Sequence, residues 1–438
     1  MRKIISFGVL LAVLFLSSAV FTRAQATTVT VIKAGRLIDT ENGKVLTNQM
    51  ILIENGSIKS VGADLQVPAG AKVIDLSNAT VLPGLIDTHV HLTGDPSEGT
   101  NYYEGIFRKS FIDSAVTCHI YAKRTLDAGF TSVRNVGAEA FIDVALKNAI
   151  NDGKIPGPRM QVATFYIGST GSHGDLNGFT PWLAWRLPEE MSGVADGPDA
   201  LRKKVRYLIK YGADVIKFGA SAGVLSEETS VGAPQFTQEE MNAIVDEARL
   251  HGIKACAHAH GTEAIKMAIR AGVASIEHGS LIDDEGIRMM KERGTYLSAD
   301  IYNDDYILSE YSKLGFPEKI INKEKQVGRL QRENFQKAVT AGVKVTYGTD
   351  AGVYPHGWNG KQFFYMVKYG LTPMQAIQAA TVNGADLLGW SDKVGSLTAG
   401  KYADIIAVAN DPLQDVKVFE NVQFVMKGGV VYKNLLQK

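Results

Sequence analysis

His89 and His91, separated only by Val90, are the first residues in the chain whose spacing suggests chemistry. On a strand, where side chains alternate with a period of two, both imidazoles project from one face and can share a cation. Further along, Lys217 sits inside the apolar run Val215-Ile216-Lys217-Phe218-Gly219. His258 and His278 each end a strand-like run, and Asp350 closes another. A single strand-end histidine can equally be hydrogen-bonded core, and Asp350 before Ala351-Gly352 can be a turn former. Taken together, these ligand types plus a lysine at successive strand ends predict a metal centre.

Lys217 needs its own account. A lysine inside an apolar strand is costly to keep charged, which favours the neutral, nucleophilic amine. Capture of carbon dioxide would give a carbamate with two oxygens, one for each of two cations about 3.5–4 Å apart. A substrate-anchoring ammonium and a Schiff-base lysine are the alternatives.

Other residues are candidates for substrate contact. His260 shares a face with His258 and can reach substrate or exchange roles with it. His173, in the glycine-rich loop Gly168–Asp175, is placed to project over the site and pair with a substrate carboxylate; a flexible polar loop is the alternative. Neither this loop nor Gly219–Gly223 matches GxGxxG or a Walker loop, which argues against a phosphate cradle. The aromatic segment Phe179–Arg186 suits either an apolar pocket wall or an oligomer contact.

These residues need a scaffold that gathers strand ends. Strand-like runs begin near Leu85, Thr131, Met160, Asp214, Lys254, Ala274, Thr295 and Lys344. Helical periodicity falls between them at Ser114–Ala128, Asp199–Lys210, Thr237–His251, Thr262–Ala271 and Arg332–Ala341. Thr237 with Glu240 has the form of a capping box. Eight strand–helix units predict a closed barrel, whose active site collects at the C-terminal strand ends. Short β-rich runs flank this region, at Val29–Ile32, Gln49–Ile53, Ser57–Val61 and Lys72–Asp75, and again at Asp404–Val408 and Val422–Tyr432. The expected fold class is therefore α/β: a (β/α)8 TIM-like barrel over residues 83–390, with a small β-sandwich domain built from 27–82 and 391–438.

Composition sets outer limits. Of 438 residues, 45% are apolar and 21% charged, which suits a globular chain with a sizeable core. Lys+Arg and Asp+Glu both number 46, so no overall field draws in nucleic acid or an anionic membrane. The basic run Leu201–Arg206 reads as a solvated helix face. Cys118 and Cys256 are the only cysteines and form no CxxC pair, which indicates neither a disulfide framework nor a thiolate zinc site. At the N-terminus, Arg2 and Lys3 precede an apolar run from Ile4 to about Val20 and the small-x-small site Ala24-Gln25-Ala26. Residues 1–26 are accordingly expected to be a signal peptide, giving an exported, periplasmic or secreted protein without a membrane anchor; an uncleaved anchor is the alternative.

The segment Leu82-Pro-Gly-Leu-Ile-Asp-Thr-His-Val-His91 resembles the opening signature of the amidohydrolase superfamily. Thr372-Pro373, Ala376–Leu388 and Gly395–Ile406 resemble the return of these enzymes to their β-sandwich. Within the superfamily, Ile216–Gly223 and Ala257–Gly261 are most similar to the metal-dependent carboxypeptidase and Xaa-Pro dipeptidase branch, near the ochratoxin-degrading amidohydrolases. The resemblance implies that His89 and His91 hold one metal, Lys217 bridges as its carbamate, His258 and His278 hold the second, and Asp350 contacts the first. It implies two divalent cations, zinc being expected, a hydroxide nucleophile, and Asp350 as the proton carrier. The expected substrate is a dipeptide or N-acyl amino acid with a free carboxylate, and we expect a homo-oligomer. Cyclic amide hydrolysis of the imidazolonepropionase kind is the alternative activity; it uses one metal and no bridging lysine, so Lys217 argues against it. A binding or scaffold barrel that has lost catalysis is the alternative outside enzymes.

Overall fold

The computed structural model describes residues 29–96, 108–175, 177, 192–226 and 230–436. The expected signal peptide and the aromatic segment Phe179–Arg186 lie outside the described residues. In chain order the strands are β1 (Val29–Asp39), β2 (Lys44–Glu54), β3 (Ser57–Gly62), β4 (Lys72–Pro83), β5 (Leu85–Val90), β6 (Phe130–Asn135), β7 (Arg159–Val162) and β8 (Val215–Gly219). They continue with β9 (Lys254–Ala259), β10 (Ser275–His278), β11 (Tyr296–Ser298), β12 (Val345–Thr346), β13 (Ile405–Val408), β14 (Phe424–Lys427) and β15 (Val430–Asn434).

Strands β5 to β12 form the barrel, each near one of the apolar runs identified in the sequence. They pair in parallel as one group of three, β5-β6-β7, and one of five, β8 to β12. Backbone bonds close both seams. Asp214 N donates to Val162 O at 2.8 Å and Ile167 N to Lys217 O at 2.9 Å, while Thr88 N donates to Tyr347 O at 2.7 Å and Asp350 N to His89 O at 2.8 Å. Five of the six residues of β9 and every residue of β5, β8 and β10 are buried, as expected for strands with helices outside and packed side chains within.

The two chain ends form the β-sandwich domain as one continuous sheet of seven strands, ordered β15-β14-β13-β4-β1-β2-β3. It curls until its turns meet. Ala403 N donates to Gly56 O at 2.9 Å, and a Cβ at Gly56 would stand 2.6 Å from Gly428 O. Ile51, Ile53 and Ile58 from one wing therefore share a core with Phe424 and Met426 from the other.

The helices largely follow the expected periodicity. The capping box at Thr237 is formed in both directions with Glu240, opening the helix Gln238–Leu250. One helix is longer than its apolar pattern suggests: Glu318–Ala341 starts well before Arg332. Its N-terminal half buries Lys323 and Glu324 alongside Ile320 and Val327, so an apolar periodicity cannot reveal it. Helices Ile142–Asn151, Asp284–Arg293 and Asn303–Glu310 are additional; the second buries only Gly286, Ile287 and Met290. No helix among the described residues is long and apolar enough to cross a membrane.

Gly84 joins the two domains between β4 and β5. Its N–H donates to Asp404 O at 2.9 Å, and a Cβ there would lie 2.1 Å from Thr131 Oγ1 on β6. Gly84→Ala must displace a buried side chain from the barrel wall, so it is expected to cost about 1–3 kcal/mol. Denaturant unfolding of the variant beside wild type measures this, and equal midpoints would mean that the junction yields without cost.

Candidate metal centre and active site

The barrel brings every predicted site residue to one place. His89 lies in β5 and His91 just beyond it, Lys217 in β8, His258 in β9, His278 at the end of β10, and Asp350 beyond β12. All six line a single cavity of about 680 Å³, together with His173 and His260.

Among the described residues, two groups of donor atoms lie close enough to hold a metal ion. His89, His278 and Asp350 form one and His258, His260 and His278 the other, each with ligand atoms within 4.8 Å of one another. His278 belongs to both. His260, read in the sequence as a substrate contact, thus stands with His258 in the second group. His91 falls outside the first group, yet its Nε2 is 3.3 Å from Asp350 Oδ1, and His89 Nε2 is 3.2 Å from the same oxygen.

Neighbours fix the rings. His278 Nδ1 pairs with Asp300 Oδ1 at 2.8 Å, His260 Nδ1 with Ser280 Oγ at 2.7 Å, and His91 Nδ1 with Gly137 O at 3.2 Å. Each bond leaves Nε2 for a ligand role, as outer partners of metal-binding histidines usually do. His89 Nδ1 approaches Glu277 Oε2 to 3.1 Å, without hydrogen-bond alignment. His258 Nε2 is buried with no hydrogen-bond partner among the described residues. A buried polar atom without a partner is rare and points to a group that belongs there. His278 (φ 69°) and Asp350 (φ 56°) both adopt left-handed backbone, a strain concentrated at this centre.

The electrostatics suit cation binding. Burial, followed by the neighbouring imidazoles, pushes His258 and His260 well below the usual histidine range, so both stay neutral and keep a lone pair. Burial acts to raise Asp350, but His89 and His91 hold its carboxyl well below the ordinary range. Lys217 is 1% exposed, pairs with no carboxylate among the described residues, and stands 5.9 Å from the centre of the Tyr166 ring. Burial pushes His91 down as well, whereas at His89 burial is outweighed by Asp350 and Glu277, which draw it upward. Neutral His258 and His260, an ionised aspartate and the unpartnered ring nitrogen of His258 fit a metal centre.

Several supporting residues escape the sequence reading. Asp300 receives His278 and also Gln331 Nε2 at 2.8 Å and Asn303 Nδ2 at 2.7 Å, and Asn303 reaches Asp350 Oδ2 at 3.3 Å. Asp300 ends the run Tyr296-Leu-Ser-Ala-Asp300 as Asp350 ends its own, so the same strand-end rule could have found it. Arg134 Nη2 pairs with Glu277 Oε1 at 2.8 Å, wholly buried inside the barrel; charges within apolar runs are the signal that singled out Lys217. Asp87 accepts from Thr349 Oγ1 at 2.6 Å, Asn359 Nδ2 at 2.8 Å and His89 N at 3.2 Å, tying β5 to the segment that carries Asp350. Its burial pushes the carboxyl up to about 6 against these hydrogen bonds.

Comparison with known proteins agrees with this architecture. Residues 80–432 match the profile of the Amidohydrolase family. Ochratoxinase from Aspergillus niger is 32% identical over 431 residues, covering 92% of this chain and 87% of that protein. The crystal structure of a Xaa-Pro dipeptidase with bound methionine in the active site is 40% identical at a TM-score of 0.88, covering 93% of this chain and all (100%) of that one. Imidazolonepropionase from Geobacillus kaustophilus is more distant, 25% identical over 429 residues, with 89% of this chain and 91% of that protein covered. The chain belongs to the amidohydrolase family and is a hydrolase of amide bonds.

Proposed function

We propose that this enzyme hydrolyses the last amide bond of dipeptides or N-acyl amino acids that carry a free C-terminal carboxylate, using two divalent cations, zinc being expected. The observation that carries this reading is the pair of donor groups sharing His278, set in one cavity with a buried lysine that pairs with no carboxylate among the described residues. The likeness to a Xaa-Pro dipeptidase and to ochratoxinase supports the substrate class.

His89, His91 and Asp350 would hold one cation and His258 and His278 the other, with His260 close enough to join them; carbamylated Lys217 would bridge the two. When bound, such a pair supplies an activated water near neutral pH and polarises the scissile carbonyl. The carbamate forms when the Lys217 amine adds to carbon dioxide and releases one proton. Asp350, ionised and aimed by His89 and His91, takes the proton from the attacking water and delivers it to the leaving nitrogen. His173, whose Nδ1 is fixed by Ser226 Oγ at 2.7 Å and whose ring stacks 4.4 Å from that of His258, would receive the substrate carboxylate. Export directed by residues 1–26 and self-association are part of the same proposal.

The test is a panel of dipeptides and N-acyl amino acids, with metal content measured on the same samples. Release of the C-terminal amino acid by protein holding about two cations per chain, lost on chelation, is the expected result. Absence of cleavage across the panel, or full activity in chelated protein, would sink the reading.

A further inference from the structure

The helix Glu318–Ala341 borders the cavity with Glu324, Val327 and Gln331, which share one helical face. Gln331 is engaged by Asp300 at 2.8 Å, and Asp304 pairs with Arg332 at 2.9 Å. Glu324 differs from both. It is 4% exposed, lines the cavity, and has no hydrogen bond or ion pair among the described residues. Its position is fixed: Lys323 beside it donates to Ser226 O at 2.7 Å and Gly223 O at 3.2 Å, clamping this turn to the loop after β8. Gly328, one turn on, is crowded by the same carboxyl, since a Cβ there would stand 2.8 Å from Glu324 Oε1. Burial, with Asp304 and Asp300 after it, pushes the Glu324 carboxyl up to about 8, since Arg332, which is paired with Asp304, offsets only part of these effects.

A buried carboxyl without a partner is costly unless a ligand completes the site. The rest of the lining says what charge that ligand carries. Glu139, Asp175, Asp300 and Asp350 also border the cavity, whereas Lys217 is its only lysine or arginine among the described residues. We propose that Glu324 is a substrate-binding residue that receives a cationic group of the substrate, an ammonium or a guanidinium, an inference that rests on the amide-hydrolase reading above. Asp300 is held by His278, Gln331 and Asn303, and Asp350 by His89 and His91, which leaves Glu324 as the buried carboxylate able to form a charge-assisted pair with an incoming cation.

The experiment uses metal-loaded full-length protein and matched pairs that differ in charge alone. Leu-Arg against Leu-citrulline probes the C-terminal side chain, Arg-Leu against citrulline-Leu the N-terminal one, and Leu-Leu against acetyl-Leu-Leu the α-ammonium. In at least one pair the cationic member should have kcat/KM higher by roughly tenfold or more, and Glu324→Gln should shrink that ratio to within about threefold. Ratios near one in all three wild-type pairs overturn the proposal, with no need for the variant to fold. So does a preference that survives Glu324→Gln. Calorimetric titration with free arginine and free citrulline reads the site without turnover. If no amide is cleaved but arginine binds more tightly in a Glu324-dependent way, the substrate reading fails and the cation site stands; equal binding of the two overturns the cation site.

Discussion

Asp350→Asn is expected to lower kcat by roughly 10²–10⁴-fold, the range associated with loss of a positioned proton carrier. The substitution keeps the shape and one carbonyl oxygen, so the hydrogen bond from Asn303 and the approach of His89 and His91 can persist. What is lost is the basic oxygen, which those two imidazoles keep ionised. Metal content must be measured alongside, because a smaller drop in kcat with full metal would assign the proton transfer elsewhere. Lys217→Ala provides the contrast. If the lysine bridges two cations as its carbamate, the variant should lose metal as well as rate, and added short carboxylates should restore part of both. Activity of Asp350→Asn within about tenfold of wild type at equal metal content would be incompatible with a general base that contributes at least 10²-fold. The acid limb has a sign as well: burial and the neighbouring imidazoles hold His258 and His260 well below the ordinary histidine range, so metal held by them should survive acidification through that range and be lost further down.

The sequence is legible here wherever one physical rule acts alone. The barrel strands are short, largely buried runs that mostly alternate with helices, and period-two geometry makes His89 and His91 neighbours on one face. Lys217 stands out because a charge inside Val-Ile-Lys-Phe-Gly contradicts its surroundings. The first half of Glu318–Ala341 hides for the opposite reason: Lys323 and Glu324 are buried there beside Ile320 and Val327, the lysine on loop carbonyls and the glutamate at the cavity, and they break the apolar stripe that would mark a helix. Asp300 and Asn303 meet Gln331 only when two separate segments come together, and no spacing in the chain announces that. His260 shows the limit of motif matching. A family pattern selects His258 between two histidines of the same face, whereas the geometry brings both within reach of His278. Gly84 is likewise just one glycine in the signature until Thr131 is seen to occupy the space of its missing side chain.

Arg134→Met is expected to destabilise the fold by about 3–5 kcal/mol near neutral pH, because it strands the Glu277 carboxylate inside the barrel. Arg134 is held by Thr88 O at 2.6 Å and Ser275 Oγ at 3.1 Å as well as by Glu277, with both charged groups essentially inaccessible to water. Burial acts to raise the Glu277 carboxyl, but Arg134, then His89, hold it far below its ordinary value of 4.5. A depressed carboxyl contributes stability that is complete above its unfolded value and lost as pH falls through the folded one. In wild type this contribution is therefore intact above about pH 5. In Arg134→Met only the burial effect and the weaker influence of His89 remain, together with that of Lys217 where it is uncarbamylated, Glu277 protonates more readily, and the deficit against wild type should shrink as pH falls. Unfolding curves at several pH values test this, and a deficit below about 1 kcal/mol at pH 7 would show that water or His89 neutralises Glu277 instead. The double variant Arg134→Met, Glu277→Leu separates stability from function. Replacing a buried ion pair by apolar residues of similar size is often neutral, so much of the lost stability should return. The Glu277 oxygen 3.1 Å from His89 Nδ1 would still be gone, and groups placed behind metal-binding histidines are worth roughly 10–100-fold in metal affinity. A double variant that is stable yet binds metal weakly would mean that the buried pair is kept for the orientation and basicity of His89; one that is stable and binds metal normally would mean that the pair serves the barrel alone.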